Sequence, residues 1–152
     1  MMKKIVDLIS KESLNKNERL ELLDELYWLD WSKLRDSFPD IFNKIFVFLR
    51  NDTFNEEEIS LIQKLYNNPE GAYVEEFSSI IIKLYKEDKI KFFKALHLNP
   101  EEGDALAYLF RNNRIFNADT ELDEILNTGD LTDDEILTTK AFFRTYENLC
   151  NT

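Results

Sequence analysis

Apolar residues recur three and four positions apart along nearly the whole chain, the spacing that lines one face of an α-helix. In 55–67, Ile59, Ile62, Leu65 and Tyr66 share a face, while Glu56, Gln63, Lys64 and Asn67 share the other. Asn55 followed by Glu58 marks a helix start, because the Asn oxygen accepts an orphan backbone N–H and the Glu reaches back. Between 71 and 86 the apolar positions, among them Val74, Phe77, Ile80, Ile81 and Leu84, spread over a wide arc. That breadth suits a helix covered on two sides. Thr132 and Glu135 open a last helix with Ile136, Phe142, Phe143, Tyr146 and Cys150 on one side.

The helix starts are regularly spaced. Pro39, Pro69 and Pro100 each stand where a helix is expected to begin, a position that tolerates the missing proline N–H. They are 30 and 31 residues apart, and Thr132 comes 32 after the last. Asn68-Pro69-Glu70-Gly71 is echoed by Asn99-Pro100-Glu101-Glu102-Gly103, and Phe48-Leu49-Arg50-Asn51 by Leu109-Phe110-Arg111-Asn112. A period of about 31 residues holds two short helices, the unit of an α-solenoid. The pattern therefore predicts an all-α single domain over 1–152, built of stacked antiparallel helix pairs. The pairs fall at 3–13 with 16–29, 39–50 with 55–67, 69–86 with 88–98, and 100–113 with 120–127, closed by a helix at 132–149. An irregular helical bundle is the alternative, since no consensus of a named repeat is present.

Composition narrows this further. Three glycines and three prolines in 152 residues are too few for the frequent turns of a β-rich fold. The first residues, Met1 to Val6, begin as a signal peptide does, but Asp7, Lys11 and Glu12 interrupt the apolar stretch. No apolar run nears the ~18 residues of a membrane span. A lone cysteine, Cys150, has no partner within the chain for a disulfide. A cytoplasmic protein without a membrane interaction is expected.

Charge is uneven. The net charge is −11, and residues 100–152, with four basic and twelve acidic groups, supply −8 of it. Such a surface repels nucleic-acid phosphates and attracts basic proteins. Between Asn117 and Glu135 there are eight carboxylates and no lysine or arginine. Asp119, Glu121, Asp123, Asp130, Asp133 and Asp134 are the candidate contacts with a basic protein partner, against the simpler reading of helix-capping, solvated acids. The alternation Asn117, Asp119, Glu121, Asp123 is a very weak match to a calcium loop, because Leu122 replaces the turn glycine and Thr128 the closing Glu, so a cation site is the least favoured reading of these acids.

Trp28 is a separate anchor candidate: on a continuous helix it projects between Glu21 and Asp24 on the polar side, with Trp31 at the edge of the core side, against the simpler reading that the helix ends near Trp28 and a neighbouring element buries the ring. His97 is expected to pack or to cap a helix end, and Cys150 to be a buried or half-buried thiol. Phosphate-cradling Gly loops, nucleophile elbows and His-Glu-x-x-His are missing, so no catalytic, metal or cofactor site is expected. The expected function is a non-enzymatic protein-interaction module. Alternatives are an inhibitor or immunity-type protein, a DNA mimic and, least favoured, an enzyme dependent on a divalent metal. Oligomeric state is left open.

Overall fold

The computed structural model describes residues 2–114 and 118–150. Among these residues the chain forms ten α-helices and two 3-10 turns, with no strand. By internal contacts it divides into two compact units, Met1–Ile80 and Ile81–Thr152.

The first unit holds α1 (Met2–Ile9), α2 (Lys16–Tyr27), α3 (Trp31–Ser37), α4 (Pro39–Asn51), α5 (Glu56–Gln63) and a 3-10 turn at Leu65–Asn67. Its helices start where the sequence supplies a cap. Asn15 with Glu18, and Asn55 with Glu58, form reciprocal capping boxes, and Asp30 caps α3 through the Lys33 N–H. Each such cap contributes ~1 kcal/mol. α1 packs on α2 and α4, α2 on α5, and α3 on α4. The core is aliphatic around Ile5, Leu22, Leu26, Ile45 and Ile62, and aromatic around Trp31. Trp31 has no solvent exposure and lies 5.3 Å from Phe77 and 5.8 Å from Phe46, ring to ring.

This region departs from the sequence reading at several points: the helix expected over 3–13 ends at Ile9, and the one over 55–67 ends at Gln63 and continues as the 3-10 turn. The helix expected over 16–29 stops at Tyr27, and a separate seven-residue helix, α3, turns Trp31 fully into the core instead of leaving it at an edge. The helix expected from Pro69 begins only at Val74. Before it, the Asn68 side chain clamps a loop, accepting from the Ala72 N–H at 3.0 Å and donating to the carbonyls of Ala72 and Leu65. Gly71 and Tyr73 both take positive φ there, 63° and 52°. Tyr73 is held in that disfavoured conformation by ring contacts with Phe42 and Trp31 and by Arg35, which donates to its hydroxyl at 3.1 Å.

The next helix, α6 (Val74–Glu87), contains the boundary between the units. The second unit continues with α7 (Lys89–Leu98), a 3-10 turn at Pro100–Glu102, α8 (Gly103–Asn113), α9 (Ala118–Leu126) and α10 (Asp133–Cys150). α10, the longest, packs against α7, α8 and α9. The core here is aromatic: Tyr85, Phe92, Phe93, Phe110, Phe142 and Phe143 are all buried, their rings mostly edge-to-face. That arrangement adds to simple area burial, because the positive edge of one ring meets the negative face of the next.

Candidate functional site

The acidic segment is organised by the turn between α9 and α10. Thr128 Oγ1 donates to the Ile125 carbonyl at 2.8 Å and accepts from the Asp130 N–H at 3.3 Å. Gly129 takes φ +73°, which a Cβ would strain. Leu131 is buried and anchors the turn. Thr132 then caps α10: its hydroxyl accepts the Glu135 N–H at 3.2 Å, and Glu135 accepts the Thr132 N–H at 2.8 Å. This is the start the sequence predicts.

The carboxylates divide into two groups on this frame. Asp123, Glu124, Asp130, Asp133 and Asp134 are exposed and have no ion-pair partner among the described residues. Asp133 and Asp134 lie in the first turn of α10, where the positive end of the helix dipole favours them. Glu121 behaves differently. It is buried, accepts a hydrogen bond from the Tyr85 hydroxyl, and lies 2.6 Å from Lys89 Nζ. Burial, and then the bond to Glu121, push the Tyr85 phenol well above its ordinary range. Glu121 is thus committed to the interior and is left out of the exposed set. A signal for this existed in the sequence, since Glu121 stands one helical turn before the core residue Ile125. The Asp119 side chain lies outside the described residues.

Glu135 is also neutralised, by Lys94 Nζ at 2.8 Å. Burial raises its carboxyl, but the Lys94 bond and the Thr132 N–H outweigh that and hold it below the usual carboxylate range. Among the described residues the segment therefore keeps its inward acids paired and its outward acids uncompensated.

Trp28 is 58% exposed at the C-terminal end of α2. Its ring meets Tyr27 edge-on at 4.9 Å and 88°. Lys64 Nζ sits 4.9 Å from the Tyr27 centroid and 3.7 Å from the Asp24 carboxylate. Asp30, two residues beyond Trp28, is exposed and has no ion pair among the described residues.

Sequence reasoning did not anticipate an open cleft of about 640 Å³ in the first unit, lined by Ile9, Leu14, Arg19, Lys44, Val47 and Asp52 among others. Its walls come from α1, α2, α4 and the connection after α1, so no contiguous motif announces it. Of the remaining candidates, His97 is half-buried with Nδ1 2.7 Å from Thr138 Oγ1, as a packed histidine. Cys150 is exposed and not buried: coverage of α10 falls off along its last turn, from buried Tyr146 through half-buried Leu149. Among the described residues no group of three His, Cys, Asp or Glu is placed to hold a metal, and no helix is long and apolar enough to cross a membrane. No protein-family model, curated protein or solved structure matches the chain.

Proposed function

We propose that this chain is a non-enzymatic protein-interaction module whose acidic C-terminal third docks a basic protein. The observation that carries the reading is the division of carboxylates around the α9–α10 turn. Glu121 and Glu135 have lysine partners, whereas Asp123, Glu124, Asp130, Asp133 and Asp134 face solvent without any among the described residues. Uncompensated charge of one sign on a tethered turn steers an oppositely charged partner and costs little reorganisation on binding. An inhibitor that covers a basic enzyme is the most specific form of this reading, and a cytoplasmic setting goes with it.

We include the helix-pair stack in the proposal. In the first unit α1 lies on α2, α1 on α4 and α2 on α5, which supports stacking, although α4 packs on the intervening α3 more than on α5. In the second unit α10 is instead a wall shared by three helices, which departs from strict repetition.

The test is affinity capture from source cells, followed by titration of the purified partner with wild type and with the Asp123→Asn/Asp130→Asn/Asp133→Asn/Asp134→Asn variant. A basic protein binding one-to-one, weakening steeply with salt and at least ~10-fold with the variant, supports the proposal. Equal binding by both proteins, or indifference to salt, overturns it.

A further inference from the structure

We infer that Trp28 is a second contact point, on the first unit, where the exposed indole receives an arginine guanidinium of the partner. The inference rests on the reading that the partner is basic, but on residues separate from the acidic turn. Three observations carry it.

The first is the contrast between the two tryptophans. Trp31 has no exposed surface, while Trp28, three residues earlier, keeps more than half of its own. An indole is costly to leave in water, and exposed tryptophans are enriched among residues that anchor interfaces. The second is that the chain already places cations on aromatic rings. Arg19 lies 5.3 Å from the centroids of both Phe48 and Phe54, with its guanidinium held by carboxylates. Lys64 rests on Tyr27, the ring that Trp28 touches, with the Asp24 carboxylate beside it. The Tyr27–Trp28 pair thus has one ring occupied by a cation next to an acid.

The third is that the other ring is open. No cation lies over Trp28 among the described residues, although tryptophan has the strongest cation-binding face of the three aromatic residues. Two residues away, Asp30 uses one carboxylate oxygen to cap α3 through the Lys33 N–H and has no ion pair among the described residues, and Asp24, beside Lys64, is one helical turn before Trp28. Arginine fits better than lysine here, because its flat, weakly hydrated guanidinium stacks on an indole while its remaining N–H groups bond a carboxylate. A membrane surface would need basic residues around the tryptophan, and Asp24 and Asp30 oppose that.

The experiment measures binding of a fluorescein-labelled acetyl-(Gly-Arg)₄-amide peptide by anisotropy, with lysine and citrulline versions beside it. The proteins are wild type, Trp28→Phe, Trp28→Leu and the four-Asn variant of the acidic turn. An exposed cation–π contact corresponds to ~2- to 5-fold in affinity. Trp28→Leu should lose that factor for the arginine peptide, Trp28→Phe should recover part of it, and the citrulline peptide should be blind to the change. With unlabelled arginine peptide, the tryptophan emission should change in wild type and not in Trp28→Leu. Wild-type affinity in Trp28→Leu, or an equal loss for the citrulline peptide, overturns the inference. Because Trp28 is exposed, Trp28→Leu should melt within a few degrees of wild type, which circular dichroism checks. Loss with the four-Asn variant alone leaves the acidic-face reading standing without this one, and loss with Trp28→Leu alone does the reverse.

Discussion

Each unit holds one buried carboxylate among the described residues, Glu58 in the first and Glu121 in the second, and the two are satisfied differently. In the first, Arg19 donates through Nε to Glu58 at 2.6 Å, through Nη1 to Asp52 at 2.8 Å, and through Nη2 to the Thr53 carbonyl at 2.8 Å. Phe48 and Phe54 flank its guanidinium. In the second, Glu121 is held by one lysine and one neutral phenol. The difference follows exposure. Glu58, with its side chain 4% exposed, has Arg19 as its only cation among the described residues, whereas Lys89 beside Glu121 is 39% exposed and shares its charge with water. A charge that cannot reach solvent must be met within the fold, and removing its partner is then the costly event.

The largest effect should therefore come from Arg19. Arg19→Met leaves Glu58 buried without a counter-charge and should cost about 3–5 kcal/mol. Urea denaturation followed by tryptophan fluorescence measures this in the right place, since Trp28 and Trp31 both lie in the first unit. Adding Glu58→Gln to Arg19→Met should return part of the loss. If the double variant is no more stable than the single one, the cost lay in lost packing against Phe48 and Phe54 and not in a stranded carboxylate.

Tyr85→Phe comes next, at about 1–3 kcal/mol, because it removes the hydroxyl donor from a buried acceptor. Lys89→Met should cost less, ~1 kcal/mol or below, as its ammonium is partly in water already. The reverse order would show that the second unit relies on charge pairing as the first does.

The same pair makes the second unit sensitive to alkaline pH. The folded state holds the Tyr85 proton more tightly than the unfolded chain does, so its contribution is complete below the ordinary tyrosine pKa of about 10 and is lost as pH rises beyond it. Thermal melts between pH 9 and 11 should fall more steeply for wild type than for Tyr85→Phe. Burial also raises Tyr146, so part of the alkaline slope should remain in the variant.

How far these features were legible in the sequence depended on whether they were local. Helix starts at Asn55 and Thr132 were readable, because a cap and its Glu lie three residues apart and act on each other. The regular placing of the prolines was readable too, but their structural roles diverge. Pro39 opens α4, Pro100 opens a 3-10 turn, and Pro69 stands in the loop gripped by Asn68. Burial of Trp31 was missed because a seven-residue helix carries too little periodicity to separate from its neighbour. The partners of Arg19 lie more than thirty residues away, and those of Glu121 about as far, so only the folded chain brings them together. Of the candidate docking acids, the outward ones were identifiable as a run without lysine or arginine. The exception, Glu121, sits on the apolar face of α9, where position relative to Ile125 mattered more than the charge of its neighbours.

The smallest expected effect on stability is at that outward face. If its acids are there for a partner, removing their charge should barely disturb the fold, in contrast to the charged groups inside either unit. Asp123 and Asp130 are exposed and unpaired, so Asp123→Asn and Asp130→Asn should each fall within about 0.5 kcal/mol of wild type. Asp133 and Asp134 differ because they stand in the first turn of α10, and each neutralisation should cost about 0.3–1 kcal/mol through the helix dipole. Salt separates the contributions: the dipole term shrinks as ionic strength rises, while mutual repulsion among the acids shrinks as well and with opposite sign. Asp123→Asn and Asp130→Asn should therefore stabilise slightly at low salt and become neutral at high salt. A loss above ~1.5 kcal/mol at Asp123 or Asp130 would place these residues with Glu121, as acids that hold the fold, and would remove the ground for treating the turn as a docking surface.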